Sequence, residues 1–105
     1  MSKIIAHMIC HTHWDREWYL TREQFKTKLV RLVDNVLELA EKGPDDLSFM
    51  LDGQAIVLLD YLEIRPENKE RLLDAIRRRR IFVGPWYVLP DEMLISGESH
   101  IRNYL

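Results

Sequence analysis

The sequence is poor in the residues that mark several specialised classes of protein. Its single cysteine, Cys10, cannot form a disulfide within the chain, which indicates a reducing compartment. The 15 basic side chains nearly balance the 17 acidic ones, so the net charge does not indicate a general polyanion binder. No apolar run approaches the roughly 20 residues that a membrane span needs, and the first residues lack a secretory signal pattern. We therefore expect a cytoplasmic protein with no membrane segment.

One basic run, the four arginines at residues 77–80, is the exception to this balance. It lies at the predicted C-terminus of a helix, where cations complement the helix dipole by roughly 0.3–1 kcal/mol each. Because no second basic patch accompanies it, we do not expect nucleic acid to be a partner.

Hydrophobic residues make up 47% of the sequence, which is sufficient for the core of one domain. Their spacing predicts that strands alternate with helices, and such alternation favours an α/β fold with a parallel sheet and right-handed crossovers. The strands are predicted over residues 3–10, 47–51 and 81–83, and the helices over residues 22–42, 54–62 and 66–79. An ordered loop over residues 86–94 then precedes a last helix, with Ser96 or Ser99 as its cap.

The polar segment HTHWDREWY, residues 11–19, begins where the first predicted strand should end. Side chains two apart on a strand point to the same face, so His13 and Asp15 can converge on one point. An imidazole and a carboxylate aimed together are typical ligands of zinc. The His11 side chain would point to the same face as His13 and Asp15, but three metal ligands on one short strand would be crowded. We therefore expect His11 to support the site or to lie in the core.

The other strands also end in polar and aromatic residues, at the edge of the sheet where parallel α/β folds place their sites. Asp52 follows the second strand, where a tight turn at Asp52-Gly53 and a functional carboxylate are equally good interpretations. Trp86 and Asp91 follow the third strand. Aromatic rings beside carboxylates are typical of sugar sites, and this favours a place for Trp18 in the cleft.

Three segments together resemble the glycoside hydrolases of family 38, the α-mannosidases, in their bacterial branch. They are residues 11–18 (HTHWDREW), 51–54 (LDGQ) and 84–87 (GPWY), and residues 65–69 and 99–103 also look like that branch. The resemblance covers essentially the whole chain, and it implies a catalytic domain with a seven-stranded β/α barrel. Residues 1–105 would be the amino-terminal portion of that domain, with its first three strands.

The resemblance also implies a reaction and a set of residues. The expected reaction is hydrolysis of an α-mannoside with retention of configuration, in which one carboxylate attacks and another serves as acid and then base. One zinc ion would be held by His13 and Asp15 together with an aspartate and a histidine further along, and Trp18 would line the sugar subsite. The family does not use the pair Asp91 and Glu92 for the chemistry, so Asp91 would shape its loop or support the site. Asp52 and Trp86 are further candidates for supporting it from their positions after the strands.

The family's nucleophile lies in an Asp-x-Phe-Gly segment, and the 105 residues contain no such segment. We therefore expect no catalytic carboxylate here, an inactive chain when isolated, and the remainder of its own catalytic domain as its partner. Three matters stay open: whether the substrate is a glycan or mannosylglycerate, which divalent metal binds, and the oligomeric state. The alternatives are another metal-dependent barrel enzyme of carbohydrate, such as a deacetylase, and a non-enzymatic module that binds zinc or a partner.

Overall fold

The structure of this protein is a computed structural model, and it describes residues 2–104. Three parallel strands form one sheet in the order β1-β2-β3, where β1 is Cys10–His11, β2 is Phe49–Met50 and β3 is Ile81–Phe82. Cys10 pairs with Phe49, and Phe49 pairs with Ile81. The predicted α/β arrangement of parallel strands joined by helices is therefore confirmed for the described residues.

In the described part of the chain, four α-helices connect and follow the strands. They are α1 (Arg22–Lys42), α2 (Ile56–Ile64), α3 (Lys69–Arg77) and α4 (Gly97–Asn103), and a 3-10 turn over Pro66–Asn68 precedes α3. The bounds of α1 are as predicted, because Thr21 and Gln24 form a capping box at its start and Gly43 ends it. Ser96, the first of the two predicted candidates, caps α4.

The predicted helix over residues 66–79 differs from the structure at both ends. In the structure, the first three residues of this range form the 3-10 turn, and α3 ends at Arg77 with Arg78 as its C-cap. Arg79 has a positive φ of 57°, which ends helical geometry and turns the chain toward β3. None of the helices within residues 2–104 is both long and apolar enough to span a bilayer.

The core lies between the helices and one face of the sheet. Helix α1 contributes Leu29, Val33 and Leu37, all at most 1% exposed, and they pack in one cluster with Val57 and Tyr61 of α2. Further buried members of this cluster come from the other elements: Leu51, Leu72, Ala75 and Ile81. The packed helices therefore hold the three strands in register and fix the loops at the carboxyl edge of the sheet.

The prediction of a buried strand over residues 3–10 is wrong for most of its length. Only Cys10 belongs to β1, and the preceding residues are exposed, with Ile4 at 93% and Met8 at 92%. Strand pairing needs a neighbour, and β2 pairs with only the two residues of β1. The strands predicted over residues 47–51 and 81–83 are shortened to two residues for the same reason.

Candidate functional site

His13 lies between two carboxylates at the carboxyl edge of the sheet. Its Nε2 atom is 3.5 Å from Oδ1 of Asp15, and its Nδ1 atom is 3.5 Å from Oδ2 of Asp52. The His13 and Asp15 side chains are open to solvent, at 70% and 42% exposure, whereas Asp52 is only 11% exposed. The loop after β1 and the loop after β2 thus bring one imidazole and two carboxylates together.

The backbone of Trp14, the residue between His13 and Asp15, is held at both of its polar groups. Its N–H donates to Oδ2 of Asp52 at 2.8 Å, and its carbonyl accepts from Nε2 of Gln54 at 2.9 Å. Its indole ring lies edge-on to Phe25 of α1, with the ring centroids 5.8 Å apart. Residues 13–15 are therefore held by the loop after β2 and by helix α1.

Asp52 occupies a tight turn, as one of its two interpretations predicts, and its carboxylate lies in the polar cluster, while its functional role stays a prediction. Asp52 and Gly53 have φ angles of 54° and 66°, in the left-handed region that is costly for most residues. Aspartate tolerates this region better than most side chains. The turn directs the Asp52 carboxylate toward His13 and the Trp14 backbone.

A second set of ion pairs holds the end of the same loop. Arg16 donates to both carboxylate oxygens of Asp60 in α2, at 2.7 and 3.0 Å, and Arg22 donates to Oδ1 at 3.1 Å. Burial by itself would raise the pKa of Asp60, but the hydrogen bonds from Arg16 and Arg22 outweigh it and lower the pKa below its ordinary value. The hydrogen bond to Asp60 raises the pKa of Arg16. Asp60 is therefore a fixed buried anion that anchors the residue after Asp15.

A polar cleft of about 340 Å³ opens beside these groups. It is lined by residues of all three loops and the start of α1: Trp14, Asp15, Arg16, Glu17, Arg22, Gln54, Val88 and Leu89. Concave sites with a few convergent polar groups at this edge of the sheet are the usual place for a small ligand.

Residues 3–105 match the family model described as the Glycosyl hydrolases family 38 N-terminal domain. The match extends over nearly the whole chain and includes the cluster around His13. The chain belongs to glycoside hydrolase family 38.

Individual relatives agree with the family assignment. A putative mannosylglycerate hydrolase of Halalkalibacterium halodurans is 47% identical over 103 residues, which are 98% of this chain and 12% of that protein. The crystal structure of an alpha-mannosidase from Enterococcus faecalis shares 51% sequence identity with a TM-score of 0.87, over 91% of this chain and 11% of that one. A second Enterococcus faecalis structure, of a protein in glycosyl hydrolase family 38, is 47% identical with a TM-score of 0.81 and the same coverage. The chain thus spans about 11–12% of the length of these relatives.

The donor set around His13 is chemically suited to the zinc ion that a family 38 domain is expected to hold. Two ligands of a tetrahedral zinc, each about 2.0–2.1 Å from the ion, lie roughly 3.3–3.4 Å apart. The 3.5 Å between His13 Nε2 and Asp15 Oδ1 is close to that spacing. Within residues 2–104, no three His, Cys, Asp or Glu side chains are grouped so that they could hold a metal ion. The predicted proximity of His13 and Asp15 is observed, and their role as ligands stays a prediction.

The other predicted site residues of this family 38 domain lie in different surroundings. Trp18 is 79% exposed in the loop after β1. Trp86 joins two loops through its backbone, which bonds Gly53 and Ala55, and its ring packs edge-on against Tyr104. Both therefore lie in the loops at the carboxyl edge of the sheet, as the sequence predicts.

Among the described residues, the side-chain hydrogen bonds of His11 and Asp91 are local. The Nδ1 atom of His11 is 2.9 Å from the carbonyl oxygen of Thr12, and the side chain is exposed, so of its two expected positions the core position is wrong and the supporting role stays a prediction. The reason is that β1 is short and its side chains have little to pack against. Asp91 accepts the N–H of Met93 at 3.1 Å and so shapes its own loop. No recorded bond between described residues joins either side chain to His13 or Asp15.

Sequence analysis missed three residues that hold the family 38 motif in place: Gln54, Arg16 and Asp60. Gln54 belongs to the segment LDGQ that supported the resemblance, and Arg16 belongs to the motif itself. The sequence indicates a role for Asp60 less clearly, because the only sign is a single acidic residue directly after the apolar block of residues 56–59. A carboxylate on the buried side of a helix needs a cationic partner, and this requirement could have identified it.

Proposed function

We propose that the protein to which this chain belongs is a retaining α-mannosidase assisted by a zinc ion at His13 and Asp15. The single observation that carries the proposal is the approach of His13 Nε2 to Asp15 Oδ1, at 3.5 Å, beside an open polar cleft of a family 38 domain. The names of the relatives, an alpha-mannosidase and a putative mannosylglycerate hydrolase, support an α-mannoside as the substrate class.

Each side chain of the cluster has a role under this proposal. His13 Nε2 and Asp15 Oδ1 hold the metal, and Asp52 faces the other ring nitrogen of His13 and fixes the orientation of the ring. When bound, the zinc ion supplies Lewis-acid assistance and orients the hydroxyl groups of the sugar. The exposed ring of Trp18 offers a flat apolar surface on which a pyranose can stack.

The proposal assigns the remaining machinery to the rest of a cytoplasmic enzyme. Retaining hydrolysis needs two carboxylates about 5–5.5 Å apart, one as nucleophile and one as acid and then base. Both, together with two further metal ligands, would come from other parts of a seven-stranded β/α barrel. The chain's contribution is then metal binding, sugar stacking and the first three strands of that barrel.

Metal titration of the full-length protein tests the proposed ligands. We expect His13→Ala and Asp15→Asn each to weaken zinc binding more than about 100-fold, because loss of a supporting residue alone costs 10- to 100-fold. Glu38→Gln is the matched control for Asp15→Asn, since Glu38 is an exposed carboxylate on α1 that pairs with Lys42 of the same helix. Isothermal titration with zinc gives the affinities.

Hydrolysis assays on the same variants test the reaction. We expect activity toward an aryl α-mannoside and toward mannosylglycerate to fall in parallel with zinc occupancy, and activity of Glu38→Gln to stay at the wild-type level. Unchanged zinc affinity in His13→Ala would contradict the proposed metal site. Failure of the wild-type enzyme to cleave any α-mannoside would contradict the proposed substrate class.

A further inference from the structure

The side chain of Gln54 contacts the loops that follow all three strands. Its Nε2 atom donates to the carbonyl of Trp14 at 2.9 Å and lies 3.5 Å from Oδ2 of Asp52. Its Oε1 atom accepts the N–H of Leu89 at 3.1 Å, and the residue is only 2% exposed. One buried amide therefore links the loop of His13, the turn of Asp52 and the loop after β3.

Gln54 and Asp52 together satisfy both polar groups of the Trp14 backbone. Asp52 accepts the N–H and Gln54 donates to the carbonyl, so the peptide groups on either side of Trp14 are each held by one bond. Those peptide groups join Trp14 to His13 and to Asp15. The bonds from Gln54 and Asp52 thus restrain the directions in which the His13 and Asp15 side chains leave the backbone.

We propose that Gln54 is a positioning residue of the metal site, which sets the separation of His13 and Asp15 without touching the metal. The inference rests on the proposed function, because it takes His13 and Asp15 to be the ligands. Gln54 acts through the Trp14 carbonyl, and it also orients the Asp52 carboxylate that faces His13. Through Leu89 it connects the loop of His13 and Asp15 to the loop after β3, which also lines the cleft.

An amide is the side chain that this position requires. Glutamine donates through its NH₂ group and accepts through its oxygen, and Gln54 uses both functions at once. Glutamate has nearly the same shape but only accepts when ionised, so it would turn an oxygen toward the Trp14 carbonyl and the Asp52 carboxylate. Methionine has a similar length and makes neither bond.

The backbone of Gln54 places this side chain before any ligand is present. Its N–H donates to the carbonyl of Leu51 at 3.3 Å, and the residue forms a parallel bridge with Trp86. Helix α2 begins two residues later at Ile56, whose side chain is part of the core. The side chain therefore projects from a backbone segment that is hydrogen-bonded on both sides and lies directly before a helix, as accurate positioning of a site requires.

Two substitutions at Gln54 and one matched control test the proposal in the full-length protein. Gln54→Met removes both hydrogen bonds, and Gln54→Glu keeps the acceptor for Leu89 but loses the donor to Trp14. The control is Asn68→Leu, because the Asn68 amide also donates and accepts, to Tyr61 at 2.6 Å and from Arg71 at 2.9 Å, far along the chain from the motif. Zinc affinity, the absorption spectrum of the cobalt-loaded protein and thermal unfolding are measured for each variant.

We expect Gln54→Met to weaken zinc binding about 10- to 100-fold and to change the cobalt spectrum. We expect Gln54→Glu to weaken zinc binding at least as much as Gln54→Met does, although the added negative charge alone would strengthen the binding of a cation. Asn68→Leu should lower the unfolding temperature and leave zinc affinity and the cobalt spectrum at wild-type values. Weaker zinc binding in the Gln54 variants but not in Asn68→Leu would show that Gln54 positions the metal ligands and does not act only through the stability of the fold.

Other results would overturn the inference. Wild-type zinc affinity in Gln54→Met, or tighter binding in Gln54→Glu, would show that Gln54 does not position the ligands. If neither Gln54 variant yields folded protein while Asn68→Leu does, the side chain serves folding and the proposal is wrong. If His13→Ala also keeps wild-type affinity, the metal site itself is misassigned, and that result overturns the proposed function rather than this inference alone.

Discussion

At the scale of single residues, the motif is held by side chains that lie far from it in sequence. The bonds from Asp52, Gln54 and Asp60 to residues 14–16 span sequence separations of 38, 40 and 44 residues. Alternation of side chains along an extended segment predicted that His13 and Asp15 would meet, because that rule uses only neighbouring residues. The partners of Trp14 and Arg16 could not be predicted in the same way, since they depend on where the turn after β2 lies and on how α2 packs.

The buried carboxylate of Asp60 gives a prediction about stability. Asp60→Asn should lower the free energy of unfolding at neutral pH by about 2 kcal/mol, because two arginines lose a charged acceptor. Glu41→Gln is the control, because Arg71 holds Glu41 by two bonds in an exposed pair whose loss should cost at most about 1 kcal/mol. Thermal or urea unfolding of the full-length variants gives both values, and equal losses would contradict the special role of Asp60.

The lowered pKa of Asp60 also gives a prediction about how the free energy of unfolding depends on pH. The folded-state pKa of Asp60 lies below its ordinary value, so its contribution is present above the unfolded pKa of about 3.9 and is lost as pH falls through the folded pKa. Wild-type stability should therefore fall below about pH 4, and the Asp60→Asn variant should show a shallower fall in that range. Unfolding curves measured between about pH 3 and 7 test this, and parallel curves for the two proteins would refute it.

At the scale of elements, local signals in the sequence predicted the bounds of α1 better than those of the strands. The bounds of α1 were predictable because its capping box and the glycine that ends it act within a few residues. The extent of a strand depends instead on which neighbour supplies its hydrogen bonds. Residues 3–9 have the composition of a strand, yet the described part of the chain pairs only Cys10 and His11 with β2.

The capping box of α1 gives a prediction at this scale. The Thr21 hydroxyl accepts the N–H of Gln24, and the Gln24 side chain accepts the N–H of Thr21. Thr21→Ala should therefore cost about 1 kcal/mol of local stability at the start of α1. Hydrogen exchange of the amides in the first turn of α1 in the full-length protein measures that cost.

Thr27→Ala is the matched control for this substitution. Thr27 lies on the exposed side of the same helix, where its hydroxyl bonds only the carbonyl of Glu23. Alanine has the higher helix propensity, so this variant should be neutral or slightly stabilising. Faster exchange at the first turn in Thr27→Ala than in Thr21→Ala would show that the capping box contributes little.

At the scale of the whole molecule, the chain is about 11–12% of the length of its relatives, and its sequence lacks the Asp-x-Phe-Gly segment of the family's nucleophile. We therefore expect the purified 105-residue chain to hydrolyse no aryl α-mannoside, whereas the full-length protein does. Release of the aryl group, measured with zinc present at equal protein concentrations, tests this. Detectable turnover by the chain alone that disappears in Asp15→Asn would contradict it.

The long-range bonds to residues 14–16 also determine when the motif acquires its geometry during synthesis. The motif leaves the ribosome first, and its partners follow 38 to 44 residues later. At 5–20 residues per second, this delay is roughly 2 to 9 seconds. During that interval the bonds that hold residues 14–16 cannot form, so the proposed metal ligands His13 and Asp15 would reach their folded positions only after Asp60 of helix α2 has been translated.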